Sequence, residues 1–229
     1  MVSARFDAVV FDLDGTLVDT APDLHAHLNA LLAEHGRPGL ELDAVRPMIG
    51  DGARMLLRRG FEVSGGMPAG VDIEALFAEF LRRYTARPLR FGATFEGVVA
   101  ALETLARAGT RLGVCTNKPQ APADRLLAEL DLARHFRVVI GGDSLTVRKP
   151  DPGHLQAVLD RLGAAPDRAV LVGDSANDVQ AAAAIGVPCV LVSFGYTARP
   201  ARALGAARVI DHMSELGAAL ASLSGHGRA

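Results

Sequence analysis

Short apolar runs recur along the chain at residues 8–11, 112–115, 138–140, 169–172 and 188–192, with a weaker one at 209–210. They are continuous rather than alternating, which predicts strands buried on both faces. Helical spacing lies between them. Val98, Val99, Leu102, Leu105 and Ala106 recur at i, i+3, i+4 and stop before Gly109, and Leu126, Leu127 and Leu130 form a second stripe. Strands alternating with helices predict an α/β fold, a doubly wound parallel sheet with helices on both faces.

Residues 17–87 break this alternation. Leu24, Leu28, Leu31, Leu32 and His35 make a helical stripe ending at Gly36, with Asp19 or Thr20 as its cap and Pro22 in its first turn. Residues 51–59 and 73–84 predict further helices. The second carries Ile73, Leu76, Phe77, Phe80, Leu81 and Tyr84 on one side. The chain therefore divides into a core of residues 1–16 and 88–229 and a smaller α-helical domain, residues 17–87, inserted after the first strand.

Open parallel sheets bind ligands at the carboxyl ends of their strands, so the residues that follow each apolar run matter most. The first run ends in Asp12-Leu13-Asp14-Gly15-Thr16, the second in Thr116-Asn117-Lys118, and the fourth in Gly173-Asp174-Ser175-Ala176-Asn177-Asp178. Lys149-Pro150-Asp151-Pro152 follows the third after a loop. Two carboxylates as close as Asp12 and Asp14 repel each other unless a cation or a shared proton relieves them. Turn chemistry also selects Asp and Gly, and helix capping selects Thr and Asn. Those preferences act on one junction at a time. They do not gather carboxylates, a hydroxyl, an amide and an ammonium at one sheet edge.

Composition narrows the options. The chain has 229 residues, 49% hydrophobic, with net charge −2, no Trp and two Tyr. Such a balance argues against a nucleic-acid footprint or a base-stacking surface. Cys115 and Cys189 lie inside apolar runs, so they read as packed thiols in a reducing compartment rather than as a disulfide. The opening residues show no leader pattern and no run is long enough to span a membrane, so a cytoplasmic protein is expected. The histidines show no metal-ligand spacing. Of 24 basic residues, only Lys118 and Lys149 are lysine. Lysine is a compact point charge where arginine is a planar fork, so two positions that escape the bias toward arginine are candidates for a needed ammonium.

The four strand-end segments, in this order, resemble the motifs of the haloacid dehalogenase superfamily of phosphohydrolases, and the helical insert resembles that family's cap. The resemblance implies a Rossmann-like core. It implies Asp12 as a nucleophile that forms an aspartyl-phosphate, and Asp14 as the acid and base that serves the leaving oxygen and then water. It implies a Mg²⁺ ion held by Asp12, the backbone carbonyl of Asp14, and Asp174. Thr116 and Asn117 would bind phosphoryl oxygens, Lys149 would neutralise the charge developing there, and Asp178 would orient either the metal's waters or Lys149. Lys118 reads as a helix-start surface residue and stays outside this set. Glu96 stands where relatives often carry proline, at a helix start away from the motifs.

Within the superfamily, Thr116-Asn117-Lys118-Pro119, Arg148-Lys149-Pro150-Asp151-Pro152 and Met48-Ile49-Gly50-Asp51-Gly52-Ala53-Arg54 look most like phosphoglycolate phosphatases. The expected partner is a small phosphorylated metabolite, met by a monomer or homodimer. Arg46, Gly50 and Arg54 are candidates for its carboxylate, although solvated helix positions would look the same. Rival readings are another sugar-phosphate phosphatase, a β-phosphoglucomutase-like mutase, and a non-catalytic phosphate-sensing module. The last would need neither Asp14 nor a helical cover.

Overall fold

A computed structural model describes residues 6–224. Residues 1–5, part of the stretch read for a leader, lie outside it. The chain opens with β1 (Ala8–Phe11) and passes through the short β2 (Val18–Asp19) into four helices, α1 (Ala21–Glu34), α2 (Leu42–Val45), α3 (Ala53–Val63) and α4 (Ile73–Ala86). β3 (Ala93–Thr94) leads back. Then come α5 (Val98–Arg107), β4 (Arg111–Cys115), α6 (Gln120–Glu129), β5 (Val138–Ile140) and α7 (Pro152–Leu162). β6 (Ala169–Gly173), α8 (Ala176–Ala184), β7 (Cys189–Val192), β8 (Arg208–Ile210) and α9 (Leu216–Ser224) complete it.

Six strands form one parallel sheet in the order β5-β4-β1-β6-β7-β8. Side chains of a strand point alternately to its two faces. Val9 and Phe11 accordingly join a cluster with Leu102, Leu126 and Leu216, while Ala8 and Val10 join Leu155, Val158 and Ala182 on the opposite face. Both faces are covered, which is why the strands read as unbroken apolar runs. From β1 the chain builds outward to β4 and β5, then returns to β6 on the other side. β1 therefore stands at the switch in strand order, where such sheets open a crevice.

The helices of residues 21–86 have an apolar cluster of their own, with Leu28, Leu32, Leu57, Phe61, Phe80 and Tyr84 at its centre. The segments entering and leaving this unit run side by side, β2 pairing antiparallel with β3 (Val18 with Thr94, Asp19 with Ala93). Asp23, in the first turn of α1, fastens the return by accepting the N–H groups of Arg90, Phe91 and Gly92 at 2.7, 3.1 and 2.8 Å. Three such bonds satisfy a carboxylate buried to 2% exposure.

Two local expectations are corrected. The helix expected from residue 51 begins at Ala53, because Gly52 holds φ 86° ahead of it. Of the two residues expected to cap α1, Thr20 donates its hydroxyl to Asp14 Oδ1 at 2.7 Å instead, and Asp19 Oδ1 accepts the N–H of Ala21 at 3.3 Å. Among the described residues no helix is long and apolar enough to cross a membrane.

Candidate active site

The carboxyl ends of β1, β4 and β6 bring together the residues expected there. Asp12 follows β1, and its N–H donates to Val172 O of β6 at 2.9 Å. Asp12 Oδ1 accepts the N–H of Leu13 at 2.7 Å, and Oδ2 lies 3.1 Å from Lys149 Nζ. Asp174 follows β6, and its Oδ2 accepts the N–H of Tyr196 at 2.7 Å. Glycine is required on both sides of this carboxylate. A Cβ on Gly15 would come within 2.4 Å of Asp174 Oδ2, at a φ of 80°, and one on Gly195 within 2.2 Å of Asp174 Cβ.

Lys149 is buried between two carboxylates, Asp12 and Asp178, the latter at 2.7 Å. The other oxygen of Asp178 accepts both the N–H and the hydroxyl of Ser175 in a capping box at the start of α8. Asp178 is thus at once a helix cap and the anchor of Lys149. His154 secures the same loop. Its Nδ1 accepts the N–H of Lys149 at 3.2 Å, and its Nε2 faces Gly141 O at 3.2 Å. Burial, and then the neighbouring Lys149 charge, lower its pKa to about 4, so the imidazole is neutral with its proton on Nε2.

Oxygens of Asp12, Asp174 and Asp178 lie within 4.8 Å of one another. Because Asp178 is committed to Lys149 and Ser175, the pair left to face a cation is Asp12 and Asp174. Both carboxyls are held above their ordinary range by burial first, and then Asp12 by Asp178 and Asp14, and Asp174 by Asp178 and Asp12. Asp12 reaches about 6, and Lys149 only partly offsets the rise. Burial opposes the charge on Lys149, but Asp12 and Asp178 outweigh it and raise its pKa. Paired buried carboxylates that resist ionisation are suited to a hard divalent cation, which relieves their repulsion.

Thr116 and Asn117 follow β4. Thr116 is buried, with its oxygen accepting the N–H of Lys118 at 3.2 Å. The side chain of Asn117 is committed to the protein itself. Its amide donates to Gly50 O and Lys149 O, both at 2.9 Å, so both its hydrogens are spent joining the helical unit to the core. Asn177 adds a parallel tie, donating to Asp51 Oδ1 at 2.7 Å.

The reading of Lys118 as a surface residue is overturned. α6 begins only at Gln120, and Lys118 falls in the preceding turn with its side chain directed inward, 4% exposed. Its ammonium donates to Asp14 Oδ1 and Oδ2 at 3.0 and 3.2 Å and to Tyr84 Oη of α4 at 2.6 Å. Burial lowers its pKa against the opposing pull of Asp14, and burial raises that of Tyr84. Arg46 and Arg54, by contrast, are occupied away from the cleft. Arg46 pairs with Asp19 at 3.4 Å, and Arg54 pairs with Glu74 at 2.7 Å and stacks on Phe77. Cys115 is buried in β4 with its thiol pushed up to about 12 by burial, a packed and unreactive group.

Between these residues and the helices lies a cavity floored by Asp12, Asp14, Thr116, Asn117 and Lys118. The opposite wall is apolar, built from Leu24, Ile49, Ala53, Leu56, Phe80 and Leu81.

Residues 9–192 match the family model described as haloacid dehalogenase-like hydrolase. The chain belongs to that family. It is 47% identical over 214 residues to the phosphoglycolate phosphatase of Rhodospirillum rubrum, covering 92% of this chain and 89% of that one. It is likewise 47% identical over 202 residues to the phosphoglycolate phosphatase of Caulobacter vibrioides, covering 88% and 85%. A crystal structure of a predicted phosphoglycolate phosphatase from Haemophilus somnus 129PT superposes with TM-score 0.88 at 28% identity, over 93% of this chain and 97% of that one. Its place among these relatives makes the chain a phosphatase of the haloacid dehalogenase-like family.

Proposed function

We propose that this phosphatase hydrolyses 2-phosphoglycolate to glycolate and phosphate, with Mg²⁺ as cofactor. Asp12 attacks phosphorus, the bond to the leaving oxygen breaks, and an aspartyl-phosphate forms. Asp14 gives that oxygen its proton, then removes one from the water that hydrolyses the acyl phosphate and regenerates Asp12. Thr116 and Lys149 hold the phosphoryl oxygens, with Lys149 balancing the charge that grows on them. Asn117 fixes the Lys149 loop and the Gly50 turn against each other, and Asp178 holds Lys149 in place. Asp12, Asp174 and the Asp14 carbonyl would hold the metal. The ion would draw charge from the phosphate and let an anionic nucleophile approach an anionic ester. The helical unit of residues 17–87 acts as the cap that excludes water and selects the leaving group.

The observation that carries this reading is the enclosed juxtaposition of Asp12, Asp14, Thr116 and Lys118 beneath an apolar wall. Sugar hydroxyls would find almost no partners on Leu24, Ile49, Ala53, Leu56, Phe80 and Leu81, and unpaired polar groups are costly when buried. A short leaving group suits the cavity better, in keeping with the names of the curated relatives. A panel of phosphometabolites assayed with Mg²⁺ and with EDTA tests it. The expected result is the highest kcat/KM for 2-phosphoglycolate and none after metal removal. A higher value for glucose 1-phosphate would defeat the substrate assignment and leave the phosphatase intact.

A further inference from the structure

Lys118 is the one cation among the residues lining the cavity. Its ammonium is shared between Asp14, at 3.0 and 3.2 Å, and the hydroxyl of Tyr84, at 2.6 Å. The second contact crosses from core to helical unit, so it exists only with α4 seated over the site. Tyr84 accepts a hydrogen from Lys118, which leaves its own hydroxyl hydrogen to donate into the cavity. The first turn of α3, at Gly52 and Ala53, opens on the same space, and the positive end of its dipole adds to the field there.

The buried Lys118 ammonium touches both Asp14 and the cavity. A leaving group that carries its own anion meets a charge-assisted donor there, which a neutral leaving group cannot use. In 2-phosphoglycolate the carboxylate is one carbon from the ester oxygen. With that oxygen against Asp14, the carboxylate comes within hydrogen-bond reach of a group adjacent to Asp14.

We propose that Lys118, assisted by the Tyr84 hydroxyl, is the specificity-determining group that receives the carboxylate of the leaving alcohol in place of Asp14. This rests on the proposed phosphoglycolate phosphatase reading and assigns its selectivity to one core lysine, where Arg46 and Arg54 are occupied by Asp19 and Glu74.

The test compares kcat/KM for 2-phosphoglycolate and 2-hydroxyethyl phosphate. The second ester has a similarly poor leaving group and the same need for Asp14, and it lacks the charge. The ratio of the two is the readout, so any loss common to both cancels. Lys118→Met is expected to lower the ratio on the order of 100-fold, the scale for removing a charged partner from a buried polar group. Tyr84→Phe, which keeps the ring, is expected to lower it about tenfold. If Lys118→Met slows both esters equally and the ratio stays within threefold of wild type, Lys118 merely holds Asp14 and the proposal is wrong. Should Lys118→Met fail to fold, Tyr84→Phe decides, and an unchanged ratio there overturns the proposal. Failure of the underlying reading looks different: wild-type enzyme would then show no turnover of either ester that Asp12→Asn abolishes.

Discussion

Replacing Asp12 by Asn removes the attacking oxygen and a buried charge together, and the two effects have opposite signs. Activity should vanish. Stability of the metal-free protein should rise. Burial first, and then repulsion by Asp178 and Asp14, push the Asp12 carboxyl up from 3.8 to about 6. A carboxyl shifted that far costs the folded chain about 3 kcal/mol once ionised. Its folded pKa is raised, so the stability it contributes is fully present below 3.8 and is lost as pH rises through 6. Asparagine resembles the protonated acid and cannot ionise. One of the two donors now on Asp12, Leu13 N–H or the Lys149 ammonium, must face its NH₂ group, which returns about 1 kcal/mol.

About 2 kcal/mol should survive, equivalent to about 4–8 °C in Tm for a chain of this size. Calorimetry in EDTA at pH 8, 6 and 4.5 measures it. The advantage of Asp12→Asn should be largest at pH 8 and gone at pH 4.5. Excess Mg²⁺ should erase it at pH 8, because a cation that binds the folded wild type stabilises it by mass action. A variant no more stable than wild type in EDTA at pH 8 would refute the idea that this site stores electrostatic strain for use by a cation. Retention of a tenth of wild-type turnover would remove Asp12 as the nucleophile.

Asp178→Asn turns an amide NH₂ toward either Lys149 or the two Ser175 donors that Asp178 also serves, and should cost about 1–3 kcal/mol in urea unfolding; a change under about 0.5 kcal/mol, the scale of an ordinary surface substitution, would contradict the pairing. Asp174→Ala should abolish Mg²⁺-supported turnover, and full activity in that variant would exclude Asp174 as a ligand. Gly195→Ala forces a methyl group against Asp174 and should raise the Mg²⁺ concentration for half-maximal activity about tenfold or more; an unchanged metal titration would show that Asp174 need not stay where it is. His154 should remain neutral to about pH 4, so its imidazole carbon shifts should stay flat between pH 5 and 7.5, and a midpoint near 6.5 would contradict its role as an acceptor for Lys149 N–H.

The core was legible in sequence because its strands are covered on both faces, so that four or five apolar residues in a row could be little else. Its site was legible for a related reason. A buried parallel strand meets water at its ends, and Asp12, Thr116 and Asp174 each interrupt an apolar run at the same edge. What escaped were contacts made across long intervals of chain. Tyr196 donates its N–H to Asp174, and its hydroxyl reaches Asp19 at 2.6 Å on the way into α1. Nothing local to Ser193-Phe194-Gly195-Tyr196 announces either bond. The family resemblance implies a phosphate-binding Asn117, but its amide is spent on Lys149 and on Gly50, a residue of the insert.

Lys118 is the sharpest case. Its neighbours Asn117 and Pro119 suggest an exposed helix start, while its partner Tyr84 lies on α4, in the inserted unit. The trace it left is compositional. A chain that otherwise uses arginine throughout has two lysines, and both are buried against carboxylates, Lys149 on Asp12 and Asp178 and Lys118 on Asp14. An ammonium directs three hydrogens from one atom, so it can serve two acids, or an acid and a phenol, at short range in a space that a planar guanidinium would overfill. The arginines first considered for the substrate carboxylate have free room for their forks and acid partners at the surface of the helical unit. Scarcity of a residue type, read together with what its few copies would be able to touch, points into this site more directly than the local helix and turn signals around Lys118.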